Sequence, residues 1–418
     1  VNLDPKAALD RARYLDQAFK VNGQVGPLHG IPFTIKDAFR AKEFGTSYGW
    51  PGLQYLKAKD NCTIVQRLID AGGILIGQTN VPLSCFDWQS NSPIYGLTKN
   101  PLNPERTVGG SSGGAAASVA AHFSSFEVGS DVAGSIRHPA HCCGVYGLRP
   151  THNFVPFHDI GPSLHKESFS NLAVGGPIAR SIEDLKFILS ILTKTQDDSF
   201  KKQTLKIAYS LKWKGTYLNL KSEQRIAKAL NRIQQSGHEV LEYEPKIDLE
   251  KCLEVWGLIL GYEYKKMIPA LGRLKPFINI FNYYFNQKRL NTSAFQNVFE
   301  KGLFASKADY EAALESAKKL REQYEEEFQD FDLWITPVAP TEAFEHKKAG
   351  ESFNIDGMKD IPYTTIGSFL SPTALLHHPV LVIPLKEVNE HPIGIQLHGK
   401  FGKDWQLIRD SISIDKIL

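Results

Sequence analysis

The stretch that organises this chain runs from Thr107 to Thr151: TVGGSSGGAAASVAAHFSSFEVGSDVAGSIRHPAHCCGVYGLRPT. Two serine-bearing, glycine-rich turns, VGGSSGG (108–114) and SDVAGSIR (130–137), are separated by a run of small residues of helical character and a short β-like segment. Glycines at this density mark backbone that must approach something closely or adopt positive φ. Taken alone, such a cluster reads as a turn or a flexible loop. A third element upstream changes that reading. GPLHGIPFTIKD, residues 26–37, carries Lys36 at the end of an apolar run. Lys36, Ser111 and Ser135 then combine as base, relay and nucleophile.

The chemistry follows from the neighbours. A lysine after a strand is ordinarily a solvated edge residue, but Ile31, Pro32, Phe33 and Ile35 leave Lys36 little polar company. Desolvation lowers the pKa of an amine, and a neutral amine serves as general base near neutral pH. Ser111 stands just ahead of a small-residue helix, Ser112 to Ala121, whose N-terminus carries free N–H groups and partial positive charge. Either Ser111 or Ser112 could instead be a plain N-cap. Successive N–H groups of Val132, Ala133, Gly134 and Ser135 form a nest, which becomes an oxyanion hole when it faces a carbonyl carbon. Asp131 and Arg137 bracket that loop, the one tying down N–H groups and the other cross-bracing it.

These three motifs resemble the signature of the amidase signature family, serine hydrolases that use a Ser–Ser–Lys triad. The intervals agree with it: 111 − 36 = 75 from Lys36 to Ser111, and 135 − 111 = 24 from Ser111 to Ser135. The resemblance implies that Ser135 attacks an amide or ester carbonyl, that Ser111 relays the proton to Lys36, and that a cis peptide bond precedes Ser111. It makes Ser112, Asp131 and Arg137 supporting residues. GQTNVPLSCF, from Gly77, resembles the segment lining the acyl pocket of fatty-acid-amide-hydrolase-like members, so Cys85 and Phe86 become substrate-binding candidates; ordinary core packing is the alternative. Four positions depart from the family pattern: Gln78 and Arg149 replace lysine, Ser130 replaces threonine and Ala133 replaces glycine. Alanine is penalised in the left-handed region, so Ala133 is predicted to keep φ below zero.

The rest of the chain limits the alternatives. With 48 Lys+Arg against 45 Asp+Glu, the net charge is +3 and the basic residues are scattered, so no nucleic-acid footprint is expected. Five cysteines without CxxC spacing fit a reducing compartment, and the cytoplasm is the expected location. No long apolar run predicts a transmembrane helix. The HxxHCC cluster, His138 to Cys143, matches no defensible metal-ligand pattern, and no dinucleotide or P-loop motif appears, so neither a metal nor a cofactor is expected. The oligomeric state is open, a homodimer included.

Residues 4–19 predict an amphipathic helix with Ala7, Ala8, Ala12, Leu15 and Ala18 inward. Because family members usually carry several tens of residues before this point, a missing N-terminal segment is expected. Residues 60–70 predict a helix with Cys62, Val65, Leu68 and Ile69 inward, followed by a strand at Ile74–Ile76. Such βαβ-like alternation predicts an α/β fold with a single large, mixed, mostly parallel sheet covered by helices on both faces. Ser181 is placed as the cap of a helix through Leu192. Residues 192–203 read as a surface loop, LKIAYS as a strand, and the aromatic-rich run Phe277–Tyr284 as packed core or a substrate entrance. The whole, 1–418, reads as one amidase-like domain with a helical lobe inserted at 192–330. Two rival functions remain: a glutamine-hydrolysing subunit of a tRNA-dependent amidotransferase, and a catalytically silent binding protein on the same scaffold.

Overall fold

The computed structural model describes residues 2–160, 171–196, 204–271, 294–348 and 351–418. The run Phe277–Tyr284 and residues 197–203 of the expected surface loop lie outside them. Strand β2 (Pro32–Lys36) forms where Phe33 and Ile35 alternate with Thr34 and Lys36, so one face is apolar and the other polar. It lies between β3 (Ile74–Thr79) and β4 (Glu127–Asp131), both parallel to it. Including β1 (Asn2–Leu3), the remaining strands are β5 (Tyr146–Arg149), β6 (Val174–Ala179), β7 (Lys206–Tyr209), β8 (Glu239–Glu242), β9 (Leu333–Pro337), β10 (Val380–Leu385) and β11 (Ile393–His398). Together they make one 11-stranded sheet in the order β1-β3-β2-β4-β6-β5-β10-β11-β9-β7-β8.

Four of the ten pairings are parallel and six antiparallel, so the sheet is mixed with a smaller parallel share than βαβ-like alternation predicts. The physical reason lies in the middle of the sheet. There β10 and β11 pair across the short connection 386–392, and β5 pairs antiparallel with both β6 and β10.

Both faces are covered. Every residue of β10 is buried, with Leu381 and Ile383 in one apolar cluster and Val382 in another. The first cluster takes in α2 (Thr63–Asp70), α5 (Ile182–Thr193) and α11 (Asp404–Asp415); the second takes in α3 (Gly113–Ala120) and α4 (Arg137–Cys143). Ser181 caps α5 by accepting the Asp184 N–H at 3.0 Å. Helix α1 (Pro5–Asn22) starts at Asp4, whose side chain accepts the Ala7 N–H at 2.9 Å. Of its predicted inward residues only Leu15 is fully buried, and Ala7 is exposed, because α1 lies on the outside against β3.

Between residues 204 and 330 the chain does two things. It adds β7 and β8 to the sheet edge, flanked by α6 (Leu220–Gln235), and it contributes α7 (Leu249–Leu271), α8 (Ala294–Phe304) and α9 (Lys307–Glu327) to a third cluster. That cluster includes Trp256, Phe299, Tyr310, Leu320 and Tyr324 and reaches Trp334 of β9. Further on, α10 (Ser371–Leu375) packs against α7. Within 192–330 the predicted strand LKIAYS is β7, and it joins the common sheet together with β8. Among the described residues no helix is long and apolar enough to cross a membrane.

Candidate active site

The alternation of β2 decides where Lys36 points. Phe33 and Ile35 enter the first cluster, so Thr34 and Lys36 face the other side, towards α3. Lys36 is completely buried, and its Nζ lies 2.7 Å from Ser111 Oγ, 2.9 Å from Ser130 Oγ and 3.4 Å from Ser130 O. Burial drives its pKa below the ordinary lysine value, opposed by the charges of Cys85, Asp131 and Glu127. Glu127 is itself pushed up to about 7 by burial, while the hydroxyls of Thr34 and Thr79 bond its two oxygens and hold it down.

Ser111 follows a cis peptide bond from Gly110. Ser112 is the N-cap residue of α3 but makes no side-chain capping bond. Its hydroxyl donates to Ser130 O at 3.3 Å and its N–H donates to Ser135 O at 3.2 Å. Ser112 thus ties the first turn of α3 to the loop that carries Ser135. Relative exposure is 0% for Lys36, 1% for Ser111 and 9% for Ser135, so all three are buried and Ser135 is the least so.

The loop at 131–137 is held by one carboxylate. Asp131 Oδ1 accepts the Gly134 N–H at 2.8 Å, and Oδ2 accepts the Ile136 N–H at 3.2 Å. Arg137 grips both oxygens at 3.0 Å and extends to Thr373 Oγ1 at 3.0 Å and Gln396 Oε1 at 2.7 Å. Burial alone would raise the Asp131 pKa, but Arg137 and Arg149 overcome it and hold the carboxyl at about 2. Gly134 carries the positive φ of the loop, +92°, and a Cβ there would collide with Leu370. Ala133 keeps φ below zero, as predicted. Because Gly134 spends its N–H on Asp131, the N–H groups of Val132, Ala133 and Ser135 are the ones that donate to no acceptor among the described residues.

Cys85 and Phe86 lie apart in character. Cys85 is in a tight 3₁₀ turn with φ of +55°, following Ser84 at +58°. Burial lifts its thiol to about 11, with the Lys36 charge and Ser111 pulling the other way, which sets it beside the buried serine and lysine. Phe86 joins a cluster of tilted rings with Tyr264 and Phe299, centroids 5.3 and 5.1 Å away.

The HxxHCC cluster is structural. His141 Nδ1 accepts the Gly394 N–H at 2.8 Å, so its Nε2 donates to Thr341 O at 3.0 Å. His138 Nε2 lies 3.4 Å from Cys142 Sγ. Among the described residues no three His, Cys, Asp or Glu side chains are placed to hold a metal.

Several residues of this site escaped the sequence reading. Ser90 Oγ donates to Gly109 O at 3.1 Å and accepts the Gly113 N–H at 3.0 Å, bracing the first glycine turn. Thr373 and Gln396 hold Arg137 from more than two hundred residues away, where no local pattern could announce them.

A mixed sheet of this order thus carries a buried lysine beside one serine and a second serine in the 131–137 loop. A solved structure described as an amidase superposes with a TM-score of 0.81 over 97% of this chain and 89% of that one, at 24% identity. The family model described as Amidase matches residues 1–408, and the chain belongs to that family. Amidase 2 of Gibberella moniliformis is 31% identical over 245 residues, 58% of this chain and 47% of the relative. The chain spans about half the length of the fungal amidases that it matches. A glutamyl-tRNA(Gln) amidotransferase subunit from Legionella pneumophila is 28% identical over 439 residues, 98% of this chain and 87% of the relative.

Proposed function

We propose that this protein hydrolyses a carboxylic amide, or an ester, through an acyl-enzyme on Ser135. The observation that carries this reading is the 2.7 Å approach of Ser111 Oγ to a fully buried Lys36 whose pKa is lowered by burial. Ser135 Oγ forms a bond to the carbonyl carbon while its proton passes through Ser111 to the neutral amine. The carbonyl π electrons move to oxygen, and the open N–H groups at 132, 133 and 135 receive that oxyanion. Lys36 then returns the proton through Ser111 to the nitrogen, because an amide nitrogen leaves as an amine and not as an anion. The C–N bond breaks, and water repeats the sequence on the acyl-enzyme. No histidine is needed; His141 uses both ring nitrogens within the fold, and His138 Nε2 lies beside Cys142.

The test is acid-quenched mass spectrometry after exposure to a mixed library of amides. An adduct with the mass of an acyl group on the peptide bearing Ser135 supports the reading; an adduct elsewhere, or ammonia release without any adduct at Ser135, argues against it. Similarity to the amidotransferase protein along 98% of this chain favours a second reading, a glutamine-hydrolysing subunit that works in a complex. Ammonia release confined to glutamine, together with obligate co-purification of a second chain, would select it.

A further inference from the structure

We propose that the indoles of Trp256 and Trp88 aim the N–H groups of the 132–135 loop, acting as positioning residues for the reaction; this rests on the reading of Ser135 as nucleophile. The Trp256 indole N–H donates to Val132 O at 3.1 Å, and that of Trp88 donates to Ala133 O at 3.0 Å. In a trans peptide the C=O of one residue and the N–H of the next point in opposite directions. Both peptides are trans, since the cis bond among the described residues is Gly110–Ser111. Holding the Val132 carbonyl therefore fixes where the Ala133 N–H points, and holding the Ala133 carbonyl fixes the Gly134 N–H.

The two peptide planes differ in how firmly they are pinned. The 133–134 plane is held at both ends, by Trp88 at its carbonyl and by Asp131 Oδ1 on the Gly134 N–H at 2.8 Å. The 132–133 plane is held at its carbonyl by Trp256, and its N–H, on Ala133, donates to no acceptor among the described residues. Trp256 thereby sets the direction of an open donor beside Ser135.

The two rings come from different elements. Trp256 is fully buried in α7 within the third cluster, against which Val132 and Ala133 themselves pack. Trp88 comes from the loop after Phe86 and lies against Tyr363, ring centroids 6.2 Å apart, and against Gly367, where any Cβ would strike the indole. An indole N–H donates and never accepts, so each ring holds its peptide by the carbonyl oxygen and not by the N–H. Packing of this kind preorganises a donor loop at no cost in reorganisation when charge develops. It also makes the geometry of the loop depend on the seating of α7.

W256F and W88F keep a ring and remove the donor. W334F is the control: it removes a buried indole N–H that donates to Ser210 Oγ at 2.9 Å, outside the loop. The measurements are kcat and KM on an amide, the rate at which a fluorophosphonate modifies Ser135, and affinity for a trifluoromethyl ketone against its matching carbinol. The ketone forms a tetrahedral adduct bearing the oxyanion; the carbinol does not. W256F should lower kcat, labelling rate and ketone affinity by about tenfold or more, within the ~10²–10³ expected for complete loss of a donor. KM and carbinol affinity should stay within about twofold. W88F should show the same pattern more weakly, because Asp131 still holds that plane. If W256F does not fold, benzothienylalanine at 256, isosteric but lacking the N–H, carries the same expectation. A folded 256 variant with wild-type kcat, labelling and ketone affinity overturns the proposal, as does W334F reproducing the full pattern. Wild-type protein that resists labelling at Ser135 overturns the nucleophile assignment, and this proposal with it.

Discussion

Lys36 Nζ lies 2.7 Å from Ser111 Oγ, and its other close partners are the hydroxyl and carbonyl of Ser130 rather than a carboxylate. A buried ammonium in such company is poorly compensated, and the neutral amine is favoured. Because Lys36 titrates below its ordinary 10.5, kcat/KM should rise with pH as the ammonium loses its proton, then level off. Lys36→Ala should lose several orders of magnitude, and Lys36→Arg should not rescue, since a guanidinium stays protonated. Near-normal amide turnover by the alanine variant contradicts this role.

Asp131 carries the loop that presents Ser135. Its pKa of about 2 lies below the ordinary 3.8, so the folded state binds fewer protons than the unfolded chain in that interval. The stability it contributes is present above pH 3.8 and is lost as pH falls through about 2. Asp131→Asn leaves Arg137 buried without its counter-charge, a change that typically costs about 3–5 kcal/mol. Urea titration at pH 7 should show that loss, and the gap to wild type should narrow as pH drops through the carboxyl pKa.

Glu127 behaves in the opposite sense. Burial raises its pKa from 4.5 to about 7, so the folded state holds its proton more tightly than the unfolded chain. Its contribution to stability is full below pH 4.5 and declines as pH rises through about 7. Glu127→Gln removes the titration. Relative to that variant, wild type should lose melting temperature between pH 4.5 and 7 and run parallel above it; a constant difference across the range contradicts the assignment.

Ala133 supplies an N–H and keeps φ below zero, so a glycine there changes no donor. Ala133→Gly should alter kcat by less than about tenfold, whereas Ala133→Pro, if circular dichroism shows it folded, should lose about 10²–10³. A folded proline variant with wild-type kcat would remove the Ala133 N–H from the account.

The elements that sequence made legible are those with a local signature. The apolar run of Ile31, Pro32, Phe33 and Ile35 placed Lys36 at the end of a buried strand, and Ser181 announced its helix. The resemblance to the amidase signature singled out Lys36, Ser111 and Ser135; two of them, Lys36 and Ser111, lie within hydrogen-bond distance. What was hidden depends on contacts far apart in the chain. The antiparallel share of the sheet comes from pairings such as Val380 with Arg149, and the bracing of the loop comes from Gln396, Trp88 and Trp256. A buried tryptophan reads as ordinary core until the carbonyl it holds is seen, so no pattern of residue types could have distinguished Trp256 from Trp334.

The central claim, that Ser135 is the nucleophile activated through Ser111 and Lys36, is tested most directly by tryptic mass spectrometry after fluorophosphonate treatment of wild type and three variants. Wild type should carry the adduct on Ser135, Ser135→Ala should carry none, and Ser111→Ala and Lys36→Ala should label far more slowly at the same residue. An adduct on Ser112 or on any cysteine, or undiminished labelling in the Ser135→Ala protein, would contradict it.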